Sequence, residues 1–332
     1  MNMGRTVFGY HAGRAGLDAA GGTAGPPVGL DDLRKSAYTH VGVPMDHADS
    51  YVQTLISVAG VRVIRTMEAQ WNPGLNKRDL GRIILDFVDV HQPGPFLSTW
   101  LINIQEPCHG FAWNLEHDIT DASLYPITAA DMHLARLWKF NLAVPAQYVA
   151  FRCQQFTIIA RLMKKLGAAH WGEFTVIIYS EYGEGARERY GCDWNQLSNP
   201  FLKLGAEALP LIDYAHCAYF GGVKLSPEYR NWLASLPENG LKVLHNTQLP
   251  HPLNTPEGHR GQVADRLGLM ANRPGDGFGS CDAEAGKGQL HLWDDPDRDV
   301  SRAITQGMRL AKDPGLAVLQ SMSWGQIKAS MA

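Results

Sequence analysis

Potential metal ligands and acid–base groups crowd the segment between positions 108 and 118. Five such side chains fall within its eleven residues: Cys108, His109, Glu116, His117 and Asp118. Consecutive residues of a helix or strand diverge, so only a loop can turn two of the last three toward His109. Imidazole combined with carboxylate suits Zn, Mn or Fe. The segment therefore predicts a metal-binding loop, and an exposed polar loop with one hydrogen-bonded histidine is the alternative.

A second candidate is the acidic turn Ser180-Glu-Tyr-Gly-Glu-Gly185, which directly follows a β-branched, apolar run. Gly183 and Gly185 permit positive φ and close backbone approach, so the turn can hold Glu181 and Glu184 toward a cleft. Glu181 is the strongest single candidate for chemistry in the chain.

These carboxylates also have structural alternatives. Glu181 can cap the helix that follows it or pair with Arg187 or Arg189. Asp193, in the nearby run Gly191-Cys-Asp-Trp-Asn, can supply a further ligand or shape a turn.

The elements that must position these residues alternate between helix and strand. A helix is predicted over residues 77–90, a strand over 96–104, and a helical stretch from 128 to 166 that Pro145 should divide. The best strand is Phe174–Ser180, and the segments 241–246 and 257–269 predict a short strand and a helix. Such alternation predicts a parallel sheet packed with helices, whose ligands sit outside the carboxyl ends of the strands. The important loops are therefore those after residues 104 and 180.

Composition places the chain among ordinary globular proteins. It has 332 residues, 45% of them hydrophobic and 19% charged, with a formal net charge of −3. This balance gives no general attraction to nucleic acid or anionic membrane. No run of 18 apolar residues and no export signal are visible, which predicts a soluble chain, cytoplasmic as written. The five cysteines form no CxxC pair and predict reduced, buried thiols.

Other common motifs give little support to rival functions. The sequence contains no GxGxxG after a strand, no GxxxxGK[ST] and no GxSxG. His245, His251 and His259 are too widely spaced for a compact metal site and predict loop histidines. Nine scattered tryptophans favour core and interface anchors over a carbohydrate platform.

Glycine and proline divide the chain into three predicted parts. Residues 1–30 form a Gly-rich N-terminal arm, 31–272 an α/β domain, and 273–332 a Gly-rich connector with a C-terminal tail that carries a short helix. The arm and tail are the segments expected to meet protein partners.

Several segments together resemble bacterial families of mostly unknown function that share the alkaline phosphatase and sulfatase superfamily fold. The segments are Ile84-Leu-Asp-Phe-Val-Asp-Val, the histidine loop 108–118, the helix end Arg161-Leu-Met-Lys-Lys-Leu, Thr175-Val-Ile-Ile-Tyr-Ser-Glu-Tyr-Gly-Glu, and Thr255-Pro256 leading into Val263-Ala-Asp-Arg-Leu-Gly-Leu. They span roughly residues 80–270, and the strand followed by Ser-Glu-aromatic-Gly is the most specific of them.

The resemblance implies a three-layer α/β/α sandwich with a mostly parallel central sheet and a divalent metal ion (Zn, Mn or Ca) at the strand ends. The metal ligands it implies, together with nearby acidic residues, are His109, His117, Asp118, Glu181 and Asp193. The Ser, Thr or Cys nucleophile beside an early Asp, which an active superfamily member needs, has no convincing match.

The function expected first is therefore a degenerate superfamily member that serves as a scaffold or subunit of a larger assembly. The alternative is a metal-dependent hydrolase of phosphate or sulfate esters. A carbohydrate-binding module ranks last, because the chain is long and poor in strands.

Overall fold

The computed structural model describes residues 6–9, 39–44, 61–67, 108–114, 146–204, 206–217, 222–237, 240–247, 253 and 255–280.

Eight parallel strands form a closed barrel. In chain order they are β1 (Val7–Gly9), β2 (His40–Pro44), β3 (Arg62–Met67), β4 (Gly110–Asn114), β5 (Thr175–Ser180), β8 (Tyr214–Cys217), β9 (Lys242–Asn246) and β10 (Gly277–Ser280). Each strand pairs with the next in this order, and β10 pairs with β1. The register of each strand pair can be followed from strand to strand once around the barrel. The path returns to β1 displaced by eight residues, and this displacement is the shear of the barrel. Eight strands with this stagger define a barrel of the (β/α)8 type.

The expected three-layer sandwich is wrong. An open sheet of that kind ends in two edge strands, whereas here Val7 lies opposite Phe278 and Gly9 opposite Val41, so β1 joins both ends of the sheet. Helix–strand alternation predicts parallel strands for both folds. What separates them is the pairing of the first strand with the last, which no local sequence pattern encodes.

Closure also draws in strands from outside the α/β domain expected at residues 31–272. β1 lies within the segment expected to be an N-terminal arm, and β10 within the one expected to be a connector. The described parts of both segments belong to the barrel wall. The rest of the arm and the whole tail after residue 280 fall outside the described residues.

The helices surround the barrel on its outer side. They are α1 (Ala146–Trp171), α2 (Gly183–Tyr190), α3 (Trp194–Leu197), α4 (Pro227–Ser235) and α5 (Pro256–Met270). The described part of α1 begins at Ala146, and Pro145, which was expected to divide the helical stretch 128–166, lies outside the described residues. A separate antiparallel hairpin consists of β6 (Phe201–Leu204) and β7 (Glu207–Pro210). No described helix is long and apolar enough to cross a membrane.

Strand side chains alternate between the barrel interior and the layer beneath the helices. The interior cluster consists of Ile64, Ala112, Ile177, Tyr179 and Leu244. The larger outer cluster takes the intervening positions, including Val176, Ile178, Ala215, Cys217 and Val243, and packs them against the helices. This alternation decides which side chains reach the open ends of the barrel.

Candidate active site at the carboxyl end of the barrel

The parallel strands bring all their carboxyl ends to one end of the barrel, the usual place for the active site of this fold. Glu181 directly follows the last residue of β5 there and is half-buried. Asn246, the last residue of β9, is buried at the same end.

Glu181 and Asn246 stand in one row of the barrel. Ser180 lies opposite Cys217, and Cys217 opposite His245. The next position along each strand therefore sets the backbones of Glu181 and Asn246 in the same register row, two strands apart. At the usual strand spacing this separation is about 10 Å. The backbones that carry this carboxylate and this amide therefore lie two strands apart at the carboxyl end of the barrel, which we call the mouth.

His216 and Tyr179 form the layer beneath this row. They are opposite one another on β8 and β5, and both are completely buried. Their rings meet edge to face, with centroids 4.7 Å apart and an interplanar angle of 82°. His216 also lies against β10, where a Cβ on Gly279 would come within 2.3 Å of its Nε2. The glycine is required because the imidazole occupies the space of a side chain.

The local structure around Glu181 depends on a buried tryptophan and on glycine. Trp194 donates a hydrogen bond from Nε1 to the Glu181 carbonyl oxygen at 3.0 Å. The Glu181 carboxylate lies against the first turn of α2, since a Cβ on Gly185 would be 2.5 Å from Oε2. Gly183 has a φ of 61°, which only glycine adopts readily. The left-handed conformation of Gly183 and the missing Cβ at Gly185 together determine where this carboxylate lies.

Glu184 does not join Glu181 at the mouth. Its side chain is 78% exposed and lies 3.6 Å from Arg187 on the surface of α2. Glu184 is therefore a matched acidic control for substitutions of Glu181.

His109 lies at the opposite end of the barrel from Glu181. It precedes β4, and its carbonyl oxygen accepts a hydrogen bond from Thr175, the first residue of β5, at 2.9 Å. Glu181 follows the last residue of that same strand, so the two are separated by the length of β5, about 20 Å. The segment 110–114, expected to belong to a loop, is β4 itself, and for this reason His109 sits at a strand's beginning.

At the amino end of the barrel, His109 contacts residues that join neighbouring strands. Its Nδ1 accepts a hydrogen bond from the Val63 amide at 3.1 Å. Burial, and then the charge of Arg62, lower the pKa of His109. Arg62 itself pairs with Glu173 at 2.5 Å. These contacts join β3, β4 and the start of β5 at the amino end of the barrel.

Asp193 acts as the N-cap of α3. One carboxylate oxygen accepts hydrogen bonds from the amides of Asn195 and Gln196 at 3.0 and 3.4 Å, and the other accepts one from the Gln196 side chain at 3.1 Å. His117 and Asp118 lie outside the described residues. The structure does not bring His109, Glu181 and Asp193 together.

The described residues contain no group of three or more His, Cys, Asp and Glu side chains placed to hold a metal ion. The described residues therefore give no support to a metal site formed by His109, Glu181 and Asp193. The expected divalent ion (Zn, Mn or Ca), the partner surfaces and the location in the cell stay predictions.

His216, Asn246 and Tyr179 were not predicted from the sequence. The signal that can find them is the period-two alternation of β8 and β9, which turns His216 and Asn246 inward while Cys217 and His245 turn outward. His245, expected in a loop, is instead a buried residue of β9.

Comparison with known proteins gives structural likeness only. No family model and no curated protein match the chain. Among solved structures it is similar to a glycoside hydrolase family 18 N-acetylglucosaminidase from Paenibacillus barengoltzii, with a TM-score of 0.49 and 9% identity over 91% of this chain and 99% of that one. A chitinase from Chromobacterium violaceum gives 0.49 and 12%, covering 92% and 99%. A family 5 xyloglucanase from Paenibacillus pabuli gives 0.48 and 10%, also covering 92% and 99%.

These TM-scores are below 0.5, so the assignment of the fold rests on the strand pairing described above. The resemblance to the alkaline phosphatase and sulfatase superfamily is wrong, because the sheet is a closed barrel and not the three-layer sandwich that the resemblance implies. The two functions derived from that resemblance, a degenerate scaffold and a metal-dependent ester hydrolase, are withdrawn with it.

Proposed function

We propose that this protein is a glycoside hydrolase that uses Glu181 as a catalytic carboxylate at the carboxyl end of the barrel. The observation that carries the proposal is the position of Glu181, half-buried directly after β5 and in one register row with Asn246. Catalytic residues of eight-stranded parallel barrels come from the ends of several different strands at this face.

The chemistry of the mouth favours a neutral, hydroxyl-rich substrate. The Glu181 carboxyl group can accept hydrogen bonds from hydroxyl groups and, when protonated, can also donate one. The Asn246 amide can both donate hydrogen bonds to such groups and accept hydrogen bonds from them, and the imidazole of His216 lies in the layer beneath. A sugar ring fits this set of partners.

In the proposed reaction Glu181 acts as a general acid. Its carboxyl proton passes to the glycosidic oxygen as the bond between that oxygen and the anomeric carbon breaks. A second carboxylate then activates water or attacks the anomeric carbon. In the sequence, Asp46, Glu68 and Glu116 follow β2, β3 and β4 within two residues, and they are the candidates for this role. All three lie outside the described residues.

The test compares Glu181→Gln with the matched variant Glu184→Gln. Wild type is first screened on chitin, xyloglucan and β-1,3-glucan oligosaccharides and on aryl glycosides, and both variants are assayed on the best substrate. Loss of a general acid should lower kcat by about 10²- to 10⁴-fold for Glu181→Gln. The loss should be smaller on a dinitrophenyl glycoside, whose leaving group needs no proton.

Glu184→Gln should retain wild-type rates, because Glu184 lies on the exposed surface of α2. Two results contradict the proposal: a wild type that is inactive on the whole panel, or a folded Glu181→Gln variant that is as active as wild type.

A further inference from the structure

A buried chain of polar side chains lies directly behind the mouth, on the outer side of β8 and β9. Its members are Cys217, Tyr229, His245, Asp276 and Arg273. The Tyr229 hydroxyl is 3.1 Å from His245 Nδ1, and His245 Nε2 is 3.0 Å from Asp276 Oδ2. Arg273 donates from Nε to the same carboxylate oxygen at 2.8 Å. We call these five residues the rear network.

The direction of its hydrogen bonds is determined by its charged end. Burial alone would raise the pKa of Asp276, but the hydrogen bond from His245 and the charge of Arg273 lower it. An ionised carboxylate only accepts hydrogen bonds, so His245 must carry its proton on Nε2. Burial, together with the charges of Arg266 and Arg273, lowers the pKa of His245 although Asp276 raises it, so the ring is neutral near neutral pH. Nδ1 is therefore an acceptor, and the Tyr229 hydroxyl donates to it.

The rear network joins β8, β9 and α4 to the segment that leads into β10. Cys217 and His245 lie opposite one another on β8 and β9, and Tyr229 comes from α4. Asp276, which immediately precedes β10, also accepts a hydrogen bond from the Val243 amide at 2.9 Å. The rear network thus connects the outer side of β8 and β9, and the segment before β10, to α4.

Each strand residue of the network has a mouth residue as its neighbour. His216 precedes Cys217, and Asn246 follows His245. Because successive strand side chains point to opposite faces, the backbone that holds His245 on the outer face also carries Asn246 on the inner face. Arg266 also contacts this position, since its Nε donates to the Asn246 carbonyl oxygen at 3.4 Å.

We propose that Tyr229 and His245 are positioning residues, which hold Asn246 and His216 in the arrangement that binds substrate at the mouth. The inference rests on the proposed function for the identity of that substrate, while the positioning itself can be measured without any ligand. Binding groups must be held to within a fraction of an ångström by such supporting contacts.

The ligand-free test compares two Tyr→Phe variants. Tyr229→Phe removes only the hydroxyl that donates to His245. Tyr214→Phe is the matched control, because it removes a hydroxyl that contacts Thr6 Oγ1 at 2.7 Å at the other end of the barrel. Protein labelled with ¹⁵N at histidine and asparagine reports the His245 tautomer and the signals of Asn246 and His216.

We expect Tyr229→Phe to disturb the single Nε2–H tautomer of His245 and to shift both mouth signals, while Tyr214→Phe leaves all of them in place. Unchanged Asn246 and His216 signals in a folded Tyr229→Phe variant would overturn the proposal. So would equal shifts in both variants, since these would report a general loss of stability.

The kinetic test uses the substrate found for wild type. Tyr229→Phe should lower kcat/KM about tenfold, a typical effect of removing a supporting hydrogen bond, and Tyr214→Phe should not. If wild type hydrolyses no glycoside, the proposed function fails while the labelled spectra still decide the positioning role. If wild type is active and the two variants have equal kcat/KM, the positioning role fails and the proposed function stands.

Discussion

At the scale of the residue, the buried imidazole of His216 and the bare backbone of Gly279 depend on each other. His216 fills the space in front of β10, so its ring cannot move aside into solvent when that space is taken. The same reasoning applies to the Glu181 carboxylate and Gly185 at the start of α2. The sequence shows these glycines only as turn or bulge signals, because the ring and the carboxylate that need them come from other positions in the chain.

We expect Gly279→Ala to destabilise the protein by about 1–3 kcal/mol, the usual cost of overpacking a core. Gly268→Ala is the matched control, since Gly268 is exposed on α5 and a Cβ there meets nothing within 4 Å. That variant should gain up to about 1 kcal/mol, because alanine favours a helix over glycine. Urea unfolding midpoints measure both changes, and equal midpoints for the two variants would contradict this account of His216.

At the scale of the element, prediction from sequence succeeded where one segment carries its own pattern. The β-branched run that forms β5 and the capped helix α5 are confirmed at nearly their predicted bounds. β4 was missed because Gly110-Phe-Ala-Trp-Asn is short and interrupted by small residues, so its strand character comes from pairing with β3 and β5. Because residues 110–114 form a strand, His109 lies at the amino end of the barrel and not near Glu181, as was expected.

Histidines whose pKa is lowered by burial make the free energy of unfolding depend on pH. The pKa of His245 is lowered in the folded protein, whereas in the unfolded chain it is about 6.5. As pH falls below that value the unfolded chain takes up the proton first, so the free energy of unfolding decreases, by at most about 1.4 kcal/mol per pH unit for one such group. Asp276, also lowered, acts only below its unfolded value of about 3.9.

We therefore expect chemical denaturation to show falling stability between pH 7 and pH 5. His109 contributes with the same sign, so His109→Gln serves as the comparison for His245→Gln. Each variant should flatten the dependence, and the fully buried His245 should account for the larger part. A His245→Gln profile parallel to that of wild type would show that this histidine is not held neutral.

At the scale of the whole molecule, the barrel is the feature that local sequence patterns could not provide. Helix–strand alternation predicts a parallel sheet, and that part of the expectation is correct. Whether the sheet stays open or closes depends on the pairing of the three-residue strand β1 with β2 and β10. Closure pairs the two sheet edges through β1 and encloses the carboxyl ends of the strands in one mouth, where Glu181 and Asn246 lie.

The central claim is that substrate binds at the carboxyl end of a closed barrel, between Glu181 and Asn246. A crystal structure of Glu181→Gln soaked with the best oligosaccharide of the panel tests this claim most directly. We expect a sugar ring at the mouth, with the side chain at position 181 beside the glycosidic oxygen, Asn246 beside a ring hydroxyl, and His216 beneath. A sugar bound instead at the amino end, near Arg62 and Glu173, or an open sheet in place of the barrel, would contradict it.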